Sequence, residues 1–154
     1  MKMTNRELHD ALKAELSIPY EELIIKHPTI ADLGTEFVDY TEDGVFTLKY
    51  PLKDTQRNGY HLLQGGYISS FFDNNYGLFV YVAADASPFS TVNMTMNFHK
   101  AVLNETKELL ISTRVISAGK RIVCLEGEAR DISGRLIATS QTNMINSAGA
   151  YLYK

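Results

Sequence analysis

Residues 62–84 read LLQGGYISSFFDNNYGLFVYVAA and form the longest weakly charged run of the chain. As a membrane span this run would carry Gln64, Ser69, Ser70, Asp73, Asn74 and Asn75 into hydrocarbon. A carboxylate and two amides near its middle make that costly. The composition instead predicts a soluble, largely buried helix, opened by Gly65 and Gly66 and closed near 84 by Asp85 to Pro88.

Outward from this helix the period changes to two. Residues 91–98 alternate, with Val92, Met94, Met96 and Phe98 on one side and Thr91, Asn93, Thr95 and Asn97 on the other. That pattern predicts a half-buried strand. Residues 109–116, 122–129 and 135–144 read as three more, joined by turns at Ala118-Gly119-Lys120 and at Asp131-Ile132-Ser133-Gly134. Such short turns require antiparallel neighbours. Upstream, 37–40 and 45–50 flank the turn Glu42-Asp43-Gly44, Pro51 ends the second strand, and 52–63 is a polar connection without periodicity. At the start, Thr4 and Glu7 have the spacing of a capping box ahead of Leu8, Leu12 and Leu16. Pro19 suits the first turn of a second helix over 19–25, which Pro28 is expected to stop.

The sum is an α+β architecture, with a helical extension over 1–34 and a single domain over 35–154. In that domain one long helix is wrapped by a curved antiparallel sheet of five or six strands. A sheet of this kind leaves a free edge, so a dimer that continues the sheet is expected.

The chain has 154 residues, 45% apolar and 21% charged, which argues against disorder or a fibrous repeat. Fifteen basic against eighteen acidic residues give a net charge of −3, without the basic surplus of a nucleic-acid or anionic-membrane partner. The single cysteine, Cys124, excludes an internal disulfide and is expected to be a small core residue. The opening Met1 to Glu7 meets charge within two residues and has no apolar stretch, which predicts a cytoplasmic protein without a secretory signal.

Asp73 stands out as the only charge between 62 and 84. Its helical neighbours are Ser69, Ser70, Tyr76 and Gly77, a mostly small-residue face that leaves room for a ligand. A satisfied core aspartate and an exposed helix face are the alternatives. Gly65 and Gly66 would bring a substrate carbonyl close to the unpaired N–H groups of the helix start, where the helix dipole is positive. Such a site polarises an ester or thioester, and a tight loop-to-helix entry is the alternative reading of the two glycines. Gln64 offers an amide donor to the same carbonyl, Asn58 can orient substrate or water, and Thr91 and Asn93 are placed to reach the cleft. Lys120 and Arg121, at a hairpin turn, suit the binding of phosphates, with a solvated turn as the alternative. None of the four histidines has a ligand-spaced partner, so no metal site is expected. No G-x-S-x-G elbow or phosphate loop is present.

Together these residues resemble the hotdog-fold acyl-CoA thioesterases of the phenylacetic-acid-degradation (PaaI-like) type. Asn58, Gly65-Gly66 and Asp73 fall at the family's spacing, and the stretch from Ser90 to Phe98 is similar to the strand whose Ser or Thr reaches the active site. Ser117 to Arg121 matches the family's basic turn and Asp131 to Ala138 its last hairpin. Gln64 stands where the family usually has histidine, and His61 where it usually has glycine. Leu78 occupies the place where related hydratases carry histidine, which disfavours hydration.

The resemblance implies a hotdog fold and an acyl-CoA thioesterase whose site lies at a homodimer interface, alone or in a dimer-of-dimers tetramer. Gly65 and Gln64 would polarise the thioester, with Asp73 of the opposing copy as general base or nucleophile and Thr91 beside it. Asn58 would sit near the water or carbonyl, and Gly66, Lys120 and Arg121 would bind substrate. It implies no cofactor beyond coenzyme A as part of the substrate. A non-catalytic acyl-CoA or acyl-carrier sensor is the alternative function.

Overall fold

Period-two alternation decides which side of each strand is covered. In β2 (Phe46–Pro51), Phe46, Leu48 and Tyr50 are wholly buried while Thr47 and Lys49 are not. In β4 (Glu108–Ala118), Leu109, Ile111 and Thr113 take that side, and Val123, Leu125, Gly127 and Ala129 take it in β5 (Ile122–Asp131). With β1 (Glu36–Tyr40), β3 (Phe89–Phe98) and β6 (Leu136–Asn146) they build one six-stranded sheet in the order β1-β2-β4-β5-β6-β3. Every neighbouring pair is antiparallel. The computed structural model describes residues 3–147, so the last residues of the expected domain, 148–154, lie outside the described residues.

The long helix, α4 (Gly65–Ala83), lies against the covered side and touches β2, β3, β4 and β5. Phe71, Phe72 and Tyr76 are wholly buried, and Phe79 nearly so. Tyr50 stacks on Phe71 with ring centroids 4.7 Å apart, and Phe46 meets Phe79 at 5.5 Å. Each such ring contributes about 1.5–3 kcal/mol over its exposed state, so these contacts set where the helix sits. Asn75 is also fully buried, and both ends of its amide are satisfied. Its Nδ2 donates to the Ile111 carbonyl and its Oδ1 accepts from the Thr113 hydroxyl, both at 2.8 Å. This amide fixes α4 to β4 along the helix axis.

The expected helical start is present, with one addition. In α1 (Asn5–Leu16) the Glu7 N–H donates to the Thr4 hydroxyl, the Glu7 carboxylate accepts from the Thr4 N–H at 2.7 Å, and Leu8 and Leu12 are buried. Pro19 caps α2 (Tyr20–Lys26). Pro28, expected only to stop that helix, is also the first residue of α3 (Pro28–Leu33). The reason is local: proline cannot continue α2, yet its fixed φ and missing N–H suit a helix start. Gly34, at φ 65°, closes α3 in the left-handed conformation.

Two further expectations change. Cys124 is half-buried on the uncovered side of β5, where its thiol donates to Asn143 Oδ1 at 2.8 Å, so it is not a core residue. In β3 the alternation breaks once. Thr91 pairs with Met144 but Asn93 pairs with Asn143, so Val92 is an extra residue in a β-bulge. The bulge turns Thr91 to the helix side, away from Asn93, Thr95 and Asn97. As an edge strand, β3 leaves Val92 64% and Phe98 53% exposed. Among the described residues no helix is long and apolar enough to cross a membrane.

Gly127 tests the helix–sheet contact. A Cβ there would meet Thr113 Cγ2 at 2.9 Å and Phe72 Cε1 and the Ser112 carbonyl oxygen at 3.0 Å. Gly127→Ala should therefore cost about 1–3 kcal/mol by overpacking, read as a lower urea midpoint with an unchanged slope.

Candidate active site

Thr91 and Asp73 are the two expected residues that the fold joins directly. Asp73 is exposed on α4, and the Thr91 hydroxyl donates to its Oδ1 at 2.7 Å. The aspartate's exposure sets aside the core-aspartate alternative and agrees equally with a ligand site and with an exposed helix face. Ser69, its expected neighbour, turns its hydroxyl to the Gly65 carbonyl at 3.1 Å. Asn93, expected at the cleft, is carried to the other face by the bulge, where its side-chain oxygen accepts from Asn143 Nδ2 at 2.8 Å.

Beside Asp73 a cleft of about 430 Å³ runs along α4 past Gly77 to Tyr81, with residues 26–30 and Ser87 to Phe89 as its other walls. Local bonds hold the first wall in place. The Thr29 hydroxyl donates to Asn74 Oδ1 at 2.6 Å, and the His27 ring stands edge-on to Tyr81 at 5.1 Å. Glu15, from α1, receives both Lys26 Nζ and His27 Nε2, the latter at 2.7 Å. Burial pushes the Glu15 carboxyl up, but the hydrogen bonds from Lys26 and His27 outweigh it and hold the carboxyl below its ordinary value. None of Glu15, His27 and Thr29 could be singled out from sequence, because their contacts join separate helices.

At the start of α4, Gln64 is the N-cap and its exposed side chain makes no cap bond. Its backbone N–H donates to the Gln56 carbonyl at 3.0 Å, which anchors the entry to the helix. A Cβ on Gly65 would lie 3.2 Å from the Phe98 ring, a tight contact that the ring would have to yield to by a few tenths of an ångström. Gly66 is exposed, with the Gln64 side chain nearest its open side at 3.7 Å. Asn58 organises the preceding loop: its Oδ1 accepts from the N–H of Tyr60 at 2.9 Å and of Leu62 at 3.2 Å. Only its Nδ2 is left to face a ligand.

His61 has φ 59°, the left-handed region, which explains why glycine suits that position. Arg57, not anticipated, clamps the loop from behind. Its side chain is 4% exposed, and its guanidinium donates to the carbonyls of Leu103 at 3.1 Å and Thr106 at 2.9 Å.

Gly65 and Asp73 are eight residues apart on one straight helix, about 12 Å along its axis, so one chain does not bring them together. Lys120 and Arg121 are exposed in the β4–β5 turn. The register Ile122 to Ile145 to Ser90 puts that turn at the Thr91 end of the sheet, about 10 Å away across two strand spacings.

The family model of the thioesterase superfamily matches residues 60–138, just over half of the chain. The chain belongs to the thioesterase superfamily. Its match takes in Gln64, Gly65, Gly66, Asp73, Thr91, Lys120 and Arg121, but not α1 to α3 or Asn58.

Solved structures share the fold of this superfamily member. A conserved protein from Pseudomonas aeruginosa is 25% identical, with a TM-score of 0.66 over 86% of this chain and 97% of the other. A hypothetical thioesterase from Streptococcus pneumoniae, solved with coenzyme A, is 19% identical, with a TM-score of 0.67 over 80% and 94%. The PaaI protein of the Escherichia coli phenylacetic acid degradation operon is 14% identical, with a TM-score of 0.69 over 88% and 95%. The resemblance to PaaI-like hotdog thioesterases is thus borne out in family and in fold. A comparison with curated proteins gives no significant match.

The Glu15 contacts yield a pH test. A carboxyl held low in the folded state stabilises fully above its ordinary value of 4.5, and that contribution is lost as pH falls through the lower folded value. The wild type should therefore melt above Glu15→Gln at pH 7, with the gap closing on acidification below about 4.5 in thermal scans. A gap that widens in acid contradicts the assignment.

Proposed function

We propose that the protein hydrolyses acyl-CoA thioesters at a site completed by a second copy of the chain. The observation that carries this reading is the Asp73–Thr91 pair, an exposed carboxylate oriented by a hydroxyl and standing over a cleft. A thioester needs a group that activates water and a donor for its carbonyl oxygen, both within reach of one carbon. The helix start is the available donor, and in one chain it lies about 12 Å along the helix from Asp73, too far to share one carbon.

Two β3 edges pairing antiparallel about their middle would lay Thr91 of one copy against the Phe98 end of the other, and Phe98 covers Gly65. The reversed strand therefore supplies the missing approach. Coenzyme A in the pneumococcal structure of the same fold supports the ligand class.

In the reaction, the Gly65 N–H and the Gln64 side-chain NH2 donate hydrogen bonds to the carbonyl oxygen as negative charge develops on it. In the general-base route, Asp73 of the partner takes a proton from water as the water oxygen attacks the carbonyl carbon. The C–S bond breaks and that proton passes to the sulfur, so that coenzyme A leaves as the thiol and the acyl group as the acid. In the nucleophilic route, the carboxylate attacks the carbon and expels the thiolate, which takes a proton from solvent. Water then hydrolyses the mixed anhydride to release the acid and restore Asp73. Thr91 holds the carboxylate in place, and Asn58 Nδ2 faces the water or carbonyl. Gly66 leaves the backbone open to substrate, and Lys120 and Arg121 meet the CoA phosphates at the rim. General-base help is worth about 10²–10⁴ in rate and one carbonyl donor about 10²–10³.

A second reading, an acyl-CoA or acyl-carrier sensor, draws on Gln64, which cannot hold a proton. Thiol release from a panel of acyl-CoAs, beside calorimetric binding, separates the two. Saturable binding without thiol release over hours selects the sensor.

For the hydrolase, Asp73→Asn should lower kcat by about 10²–10⁴ with little change in melting temperature, since Asp73 is exposed. Hydrolysis by this variant at the wild-type rate removes Asp73 from the chemistry. Replacing both Lys120 and Arg121 by alanine should raise KM for acyl-CoA with kcat kept, more so at low salt.

A further inference from the structure

Gly77 stands four residues after Asp73, on the same face of α4. A glycine inside a helix is destabilising relative to alanine, and a fold keeps one for a positive φ or a close neighbour. Gly77 has neither. Its φ is not positive, and a Cβ added to it would meet nothing within 4 Å. Gly65 and Gly127 differ in this respect, since ring or backbone atoms crowd both. The room above Gly77 is the middle of the cleft that begins at Asp73.

We propose that this cleft seats the acyl group of the substrate, that Gly77 sets how large a group enters, and that α2 and α3 form the specificity wall. The inference rests on thioester hydrolysis at Asp73. With the carbonyl carbon beside that carboxylate, the thiol arm leaves toward the other copy's helix start, and the acyl group is directed along α4 toward Gly77 and Tyr81. Pro28, Ile30, Leu78 and Phe89 give the cleft an apolar lining. At the far end Lys26 and His27 are engaged by Glu15, so they present no unpaired charge to a hydrocarbon guest. A cleft of about 430 Å³ is at the small end of ligand pockets, which fits a short or medium-length acyl group. The α2–α3 wall lies outside the segment that matches the superfamily, so size selection belongs to a part of this chain that the family match does not cover.

The test compares wild type, Gly77→Ala and Gly77→Leu on straight-chain acyl-CoAs from acetyl to dodecanoyl. One methylene in an apolar pocket is worth about 10–200-fold in kcat/KM. Gly77→Leu should lower kcat/KM for octanoyl-CoA at least about tenfold while acetyl-CoA stays within about threefold. Gly77→Ala should melt higher than wild type and shift the preference toward shorter chains, which shows that the helix tolerates a side chain there. A proportional loss at every chain length, or an unchanged profile, overturns the proposal. So does dissociation of a wild-type oligomer by Gly77→Leu in size-exclusion chromatography, because the space would then belong to a second copy. Calorimetric binding of non-hydrolysable S-alkyl-CoA thioethers reads the same size shift without catalysis. If the wild type cleaves no acyl-CoA, the hydrolase reading fails, while a thioether size limit moved by Gly77→Leu still upholds the cleft, and one left unmoved overturns it.

Discussion

The contact between α4 and the sheet sets the position of everything else. Phe71, Phe72, Tyr76 and Phe79 bury their rings against β2, β4 and β5, and Asn75 locks the helix along its axis through two buried hydrogen bonds. A helix held so firmly on its aromatic sides can rotate only a little before rings leave the core or the amide loses its partners. The remaining face, with Gly66, Asp73 and Gly77, is thereby left outward. Gly127 lets the two layers come this close, since a methyl group there would collide with both.

On that framework one extra residue in an edge strand has a large consequence. Strand side chains alternate strictly, so Thr91 would share the outer face with Asn93 if β3 were regular. The bulge at Val92 inverts the phase, and the Thr91 hydroxyl reaches the Asp73 carboxylate. The same edge carries Phe98, whose ring lies against Gly65 at the start of the helix. Carboxylate and helix start are therefore met by opposite ends of one strand and lie about 12 Å apart along one helix. In the proposed reaction this separation is the reason for a second copy.

Residues around the site were legible to different degrees. Asp73 was conspicuous because a lone charge in an apolar helix is visible in any linear reading. Gly65 is visible as a glycine, but the ring that crowds it, Phe98, comes from 33 positions downstream. Asn58 falls at the family's spacing, and both acceptor positions of its Oδ1 are taken by the turn to Leu62. His61 departs from the usual glycine, and its positive φ shows what glycine does there. Arg57, Glu15 and Thr29 left no trace in the sequence, since each acts through a partner on another element.

By itself the sequence determined the α+β class, six of the strands' approximate limits, the long helix and the lone carboxylate. Periodicity, turn residues and capping are local properties, written in residues close together along the chain. Tertiary structure alone decided the strand order, the bulge that turns Thr91, the third short helix after Pro28, and the cleft between α3 and α4. These depend on which distant side chains meet, and the free energy of such meetings is settled only when the whole sheet closes over its helix.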